Sequence, residues 1–151
     1  MIGWSGAHGP EHFYRAILEG IAFEQRLAVE QVLNGGVGEF EEYRIVGGGS
    51  RSPLWCQIIA DICGRPVVTL TSPEATALGA GVLAAAACGW FPDCRKAAAA
   101  MSVADKRWVP DSKNREIYER IYTEVYRSLF PAIRPLIDRL GEINRNRRSA
   151  G

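Results

Sequence analysis

The chain has 151 residues, 47% of them apolar and 23% charged, with a formal net charge of +1. That length and composition suit one ordinary globular domain or a part of a larger protein. The charge balance gives no electrostatic basis for a nucleic-acid or membrane-surface partner. No apolar run reaches the roughly 18 residues that a membrane span needs.

The opening MIGWSGAHGPEH has neither the basic start nor the apolar core of a secretion signal, so none is expected. The four cysteines are Cys56, Cys63, Cys88 and Cys94. They form no CxxC pair and their spacing suits no zinc site, so they are expected as buried, reduced thiols of a cytoplasmic protein.

In chain order, Pro10 suits a first helical position, and a long helix is predicted from there to about Leu33. Tyr14, Ile17, Leu18, Ile21, Ala28 and Val32 form its apolar stripe, and Asn34-Gly35-Gly36 ends it. Arg15, Glu19, Glu24 and Arg26 read as its solvated face. After a polar connection, Tyr43 to Val46 is a short apolar run suited to a buried strand, and Gly47, Gly48 and Gly49 break it. Ser52 reads as a helix N-cap, Pro53 as the first helical residue and Gly64 as the stop.

Pro66 to Leu70 is a second strand, rich in β-branched residues, and Thr71-Ser72-Pro73 turns the chain. Glu74 to Gly89 reads as a helix of small residues. Gly79 and Gly81 cost it roughly 1 kcal/mol each relative to alanine, a cost offset by the close approach of another backbone from a neighbouring strand or a second domain. Asp93 to Met101 is a short alanine-rich helix, and Val103 to Pro110 is irregular. Asp111 caps a last long helix bearing Tyr118, Tyr122 and Tyr126, which Pro131 and Pro135 kink or divide. The stretch from Gly141 to Gly151, with Arg145, Arg147 and Arg148, reads as a basic frayed tail. Helices alternating with two strands make the class α/β, and two strands are few for a sheet.

The strand, glycine turn and helix from Tyr43 to Gly64 carry the functional signal. Three glycines permit positive φ and a close approach of a ligand to the backbone, and the N–H groups of the new helix point back at the turn. Such a junction suits a nucleotide. It equally suits a tight turn that needs glycine for geometry alone. The pattern is neither GxGxxG nor a Walker loop. No catalytic set accompanies it. His8 and His12 lack an HExxH context, no GxSxG elbow is present, Asp61 reads as a surface residue, and Glu74 at a helix start is favoured there by the dipole. No catalytic residue and no metal ligand is assigned.

Three segments in order resemble the FGGY family of carbohydrate kinases, with a xylulokinase-like flavour. HFYRAILEGIAFEQR, His12 to Arg26, resembles that family's "RAxxEGxAF" helix. RIVGGGSRSPLWCQIIADICGRPV, Arg44 to Val67, resembles its adenosine-binding segment. EATALGAGVLAAAACGWF, Glu74 to Phe91, resembles the small-residue helix that follows.

The resemblance implies an α/β, ribonuclease-H-like domain of the actin-like ATPase fold, this chain being the C-terminal part of the second domain of a sugar kinase. It implies ATP and Mg2+ as cofactors, and phosphorylation of a sugar hydroxyl, a pentulose by flavour. It places Gly48 and Gly49 against the adenosine, Ser50 and Pro53 at or near the adenine pocket, and Gly47 as the shaper of the turn.

On that basis residues 1–140 are a partial nucleotide-binding domain and 141–151 a basic flexible tail. The family's sugar-binding domain, first phosphate loop and catalytic aspartate have no counterpart in this chain, so the chain alone is expected to be inactive. Its partners are a nucleotide, and a sugar only together with an N-terminal domain. Neither nucleic acid nor membrane is expected. Open sheet edges favour a homo-oligomer. The alternative is a non-catalytic module that binds nucleotide or a partner chain, from a truncated or split kinase. A different actin-like ATPase is opposed by the "RAxxEGxAF" helix.

Overall fold

The helix that follows the glycine turn is apolar on almost every side, and the rest of the first half of the chain is arranged to cover it. The computed structural model describes residues 2–36, 38–72 and 74–149, with side chains as far as 145. These residues divide into two compact units, 1–115 and 116–151.

In the first unit, α1 spans Pro10–Asn34, β1 Tyr43–Ile45, a 3₁₀ turn Gly48–Arg51, α2 Pro53–Cys63 and β2 Val67–Leu70. Then come α3, Ala75–Ala87, α4, Cys94–Met101, and β3, Ala104–Trp108. α5, Ser112–Ile121, begins in this unit and crosses the boundary.

α2 starts and stops where its sequence dictates. Ser52 is extended and its hydroxyl accepts the Trp55 N–H at 3.3 Å, Pro53 opens the first turn, and Gly64 ends the helix at φ +65°. Cys56, Ile58, Ile59, Ala60, Asp61 and Ile62 are all buried. A helix buried nearly all round belongs in the core. α1 packs against it, burying Ala22 and Phe23, and Arg26 donates to the Ile62 carbonyl at 3.0 Å near the end of α2.

The sheet has the order β1-β2-β3. β1 and β2 are parallel, with Tyr43 opposite Val67 and Ile45 opposite Thr69. β3 is antiparallel to β2, with Val67 opposite Trp108 and an irregularity between Val68 and Leu70. There the Thr69 hydroxyl accepts the Lys106 N–H at 3.2 Å. Glu42 binds both Arg44 and Arg107 and so ties β3 to the chain just before β1. The Arg107 hydrogen bond holds the Glu42 carboxyl below the usual carboxylate range, against a smaller opposing effect of desolvation.

Several expectations need correction. The stretch after Val103, expected to be irregular, contains β3. Its sequence ADKRW is exposed at Ala104 to Arg107 and half-buried at Trp108. It is held by backbone pairing, so it shows no hydrophobic alternation. Asp61, expected at the surface, is 2% exposed and accepts hydrogen bonds from Gln57, Asn114 and the Asp111 backbone. Of the thiols, Cys56 is buried, Cys63 half-buried, and Cys88 and Cys94 exposed, because the latter two lie at the outer ends of α3 and α4. The partner of the small-residue helix within this chain is α4, and a Cβ on Gly81 would meet the Met101 methyl at 3.3 Å. Leu83 and Trp90 beside it stay 62% and 80% exposed. The turn expected at Thr71 to Pro73 falls partly on Pro73, outside the described residues.

At the end of the first unit, Asp111 accepts from the Lys113 and Asn114 N–H groups at 3.0 Å each, the expected cap of α5. The second unit is helical. A π-helical segment, Tyr122–Tyr126, follows, and α6 runs over Arg127–Ser149. Pro131 and Pro135 do not divide α6. Spaced four apart, they lie on one face, so their lost hydrogen bonds fall along one stripe. The carbonyl that Pro131 crowds belongs to Arg127, at the junction with the π segment, where the hydrogen-bond register already changes. The basic stretch from Gly141, expected as a frayed tail, has a helical backbone as far as Ser149, and an Arg139–Glu142 pair at 2.9 Å spans its start. Ala150, Gly151 and the side chains of Arg147 and Arg148 lie outside the described residues.

Tyr43 of β1 and Cys63 at the end of α2 line the same cleft. Burial pushes the phenol up, and pushes the Cys63 thiol from its ordinary 9.0 to about 11. The folded chain therefore keeps Cys63 neutral where the unfolded chain has ionised it. Its contribution to stability is complete below pH 9.0 and is lost as pH rises towards about 11. In urea unfolding between pH 8 and 11, the alkaline loss of stability should be smaller in Cys63→Ala than in the wild type. Superimposable pH profiles would contradict this.

Candidate functional site

β1 ends at Ile45, and the backbone must turn sharply to start α2. Gly47 has φ +79° and ψ −169°, a region that only glycine enters without strain. Ser50 closes the 3₁₀ turn twice: its N–H donates to the Gly47 carbonyl at 3.1 Å and its hydroxyl donates to the same oxygen at 2.7 Å. The Cys56 thiol donates to the Ser50 carbonyl at 3.7 Å, which ties the turn to the second turn of α2. Gly49 has a packing role, since a Cβ there would lie 3.1 Å from the Trp55 indole. Gly48 has a negative φ and faces open space.

Beside this turn lies a cavity of about 330 Å³. Ser50, Arg51 and Pro53 form one wall, the end of β2 with Thr69, Leu70 and Thr71 forms another, and Asp105, Lys106 and Trp108 of β3 form a third. It sits at the carboxyl ends of the parallel pair β1 and β2, the edge where open α/β sheets bind ligands. Its volume is at the lower end of the roughly 300–1,000 Å³ of small-molecule sites.

Of the residues nominated from sequence, Ser50 and Pro53 line this cavity, while Gly47, Gly48 and Gly49 form the turn beside it. The walls from β2 and β3 were missed. Thr71 directly follows a strand parallel to β1, and a parallel register would have pointed to it. The β3 wall had no such signal, because its strand carries no apolar pattern.

The helix N-terminus offers less to an anion than its sequence suggests. Pro53 has no N–H, the Trp55 N–H goes to the Ser52 hydroxyl, and the Cys56 N–H goes to the Ser52 carbonyl. Of the first-turn donors, the Trp55 N–H is thus taken by the cap and Pro53 supplies none. Among the described residues no cluster of three or more His, Cys, Asp or Glu could hold a metal ion, and no helix is long and apolar enough to cross a membrane.

The family model described as "FGGY family of carbohydrate kinases, C-terminal domain" matches residues 1–88. The chain belongs to the FGGY family of carbohydrate kinases. It is 31% identical over 136 residues to a xylulose kinase of Staphylococcus epidermidis, covering 90% of this chain and 27% of that one. It is 41% identical over 110 residues to a ribulokinase of Mycolicibacterium smegmatis, covering 72% of this chain and 19% of that one. Its fold matches the crystal structure of ligand-bound xylulose kinase from Lactobacillus acidophilus, with a TM-score of 0.77 and 25% identity over 87% of this chain and 26% of that one. The chain thus spans about a quarter of the length of these FGGY relatives. The three-stranded sheet and its helices match the C-terminal domain of FGGY sugar kinases, which has the actin-like ATPase fold.

The glycines are not interchangeable. Gly47→Ala forces a side chain into a glycine-only conformation and should cost about 1–3 kcal/mol of folding stability. Gly48→Ala should cost less than about 1 kcal/mol, because its Cβ meets nothing. Urea unfolding of the two variants checks this, and equal losses would contradict the assigned turn geometry.

Proposed function

We propose that this chain supplies the nucleoside-binding part of an ATP-dependent sugar kinase. The adenosine lies against Gly48 and Gly49, Ser50 and Pro53 stand at the adenine pocket, and Gly47 shapes the turn. The observation that carries this reading is the cavity at the carboxyl ends of β1 and β2, walled by the turn that the family resemblance assigns to adenosine. Gly48, open to space on a turn fastened by Ser50, lets a flat ring approach the main chain closely. Pro53 has no N–H and the Trp55 N–H is taken by the Ser52 hydroxyl, which supports the nucleoside rather than the phosphates at this wall.

In the full reaction a sugar hydroxyl attacks the γ-phosphorus and ADP leaves, with rate enhancement from positioning and charge neutralisation. A magnesium ion accompanying the nucleotide would be coordinated mainly by its phosphates. The relatives named xylulose kinase and ribulokinase favour a pentulose as acceptor. Sugar binding itself belongs to the part of the kinase that this chain does not span, and the chain alone carries no phosphotransfer.

Calorimetric titration with MgADP and MgATP tests the assignment. The wild type should bind both saturably, and Gly48→Trp, which fills the space over the turn, should abolish binding while leaving the unfolding transition in place. Absence of saturable binding, or undiminished binding by a folded Gly48→Trp, would refute it.

A further inference from the structure

We propose that Asp61 is a positioning residue for this site, setting the distance between two of its walls; the proposal rests on the nucleoside reading above. Asp61 lies on α2 among Ile58, Ile59 and Ile62, all buried. An apolar side chain would serve packing there equally well, and a buried carboxylate is unfavourable unless every oxygen is satisfied.

Asp61 is satisfied mainly by the segment that leads out of β3. Its Oδ1 accepts the Asp111 N–H at 2.8 Å, and its Oδ2 accepts the Asn114 side-chain amide at 3.0 Å. Gln57, one turn earlier on the same helix, donates from Nε2 to Asp61 Oδ1 at 2.7 Å and to the Val109 carbonyl at 2.9 Å.

These bonds converge on Val109 to Asn114, and Val109 directly follows Trp108, which closes the cavity. The opposite wall, Ser50 to Pro53, enters the N-terminus of the same α2. One helix thus holds the glycine-turn wall at its start and, through Gln57 and Asp61, the Trp108 wall further along. Asp61 touches no cavity space itself. Its effect on a ligand passes through the backbone at Val109 and Asp111.

The test combines MgADP titration with ¹⁹F NMR of 5-fluorotryptophan-labelled protein, the Trp108 resonance being identified by its absence in Trp108→Phe. Asp61→Leu should move the Trp108 resonance in the ligand-free protein and weaken MgADP binding about tenfold or more, the scale of one lost buried hydrogen bond. Asp61→Asn keeps an acceptor for the Asp111 N–H and can pair with a turned Asn114 amide, so it should restore both readouts to near the wild type. Gln57→Leu, at a half-buried position, removes the tie to Val109 and should shift Trp108 in the same sense.

An unmoved Trp108 resonance in a folded Asp61→Leu would overturn the proposal, whatever happens to affinity. If Asp61→Leu does not fold, an unmoved resonance and unchanged affinity in Gln57→Leu overturn it instead. If the wild type binds no MgADP, the nucleoside reading fails, while the Trp108 shifts still decide whether Asp61 sets that wall.

Discussion

A helix that is apolar on nearly every side has to be covered on every side, and α2 imposes that demand on the first unit. α1 lies along it, the β2 strand supports it, and the segment from Val109 to Asn114 is fastened to it through Gln57 and Asp61. The burial of Ile58, Ile59 and Ile62 supplies the driving force. The hydrogen bonds add direction, because a buried carboxylate tolerates few arrangements of its partners. A core built in this way fixes both ends of α2, and the glycine turn is attached to its first residue.

The site follows from that anchoring. A sharp reversal between β1 and α2 needs one residue in a conformation open to glycine, and Gly47 provides it. Gly49 then makes room for Trp55, and Gly48 is left as bare backbone facing open space. The three consecutive glycines therefore do three different things: one reverses the chain, one makes room for an indole, and one leaves the backbone open. Ser52 and Pro53 start α2 well, and in doing so they occupy or remove amides that would otherwise attract an anion. Good capping and phosphate binding compete for the same donors, and here capping has the larger share.

Much of the first unit was legible because its elements are punctuated. Pro10, Ser52 with Pro53, Asp93 and Asp111 mark helix starts, Gly64 marks a stop, and the β-branched run at Val67 to Thr69 marks a strand. β3 was illegible for a physical reason. An edge strand such as Ala104 to Trp108 forms through main-chain pairing, and its side chains as far as Arg107 are exposed without alternation. Asp61 was misplaced because periodicity cannot tell a solvated carboxylate from a buried one, two of whose three partners, Asp111 and Asn114, lie 50 or more residues away in sequence. The cavity was half-legible for the same reason: its turn wall is local, and its other walls exist only once β2 and β3 are in register. The prolines of α6 misled in the opposite direction, since a rule about helix interiors does not register an adjoining π segment that has already shifted the hydrogen-bond pattern.

The most direct test of the central claim, that the glycine turn and the carboxyl edge of the sheet form one nucleoside subsite, is amide chemical-shift mapping of the ¹⁵N-labelled chain during addition of MgADP. The account requires the largest changes at Gly47 to Arg51, at Thr69 to Thr71 and at the Trp108 indole, with little change in α1. Largest changes elsewhere, for example around Arg26, Arg65 and Arg115 at the far end of α2, would contradict it, as would a spectrum that MgADP leaves unaltered.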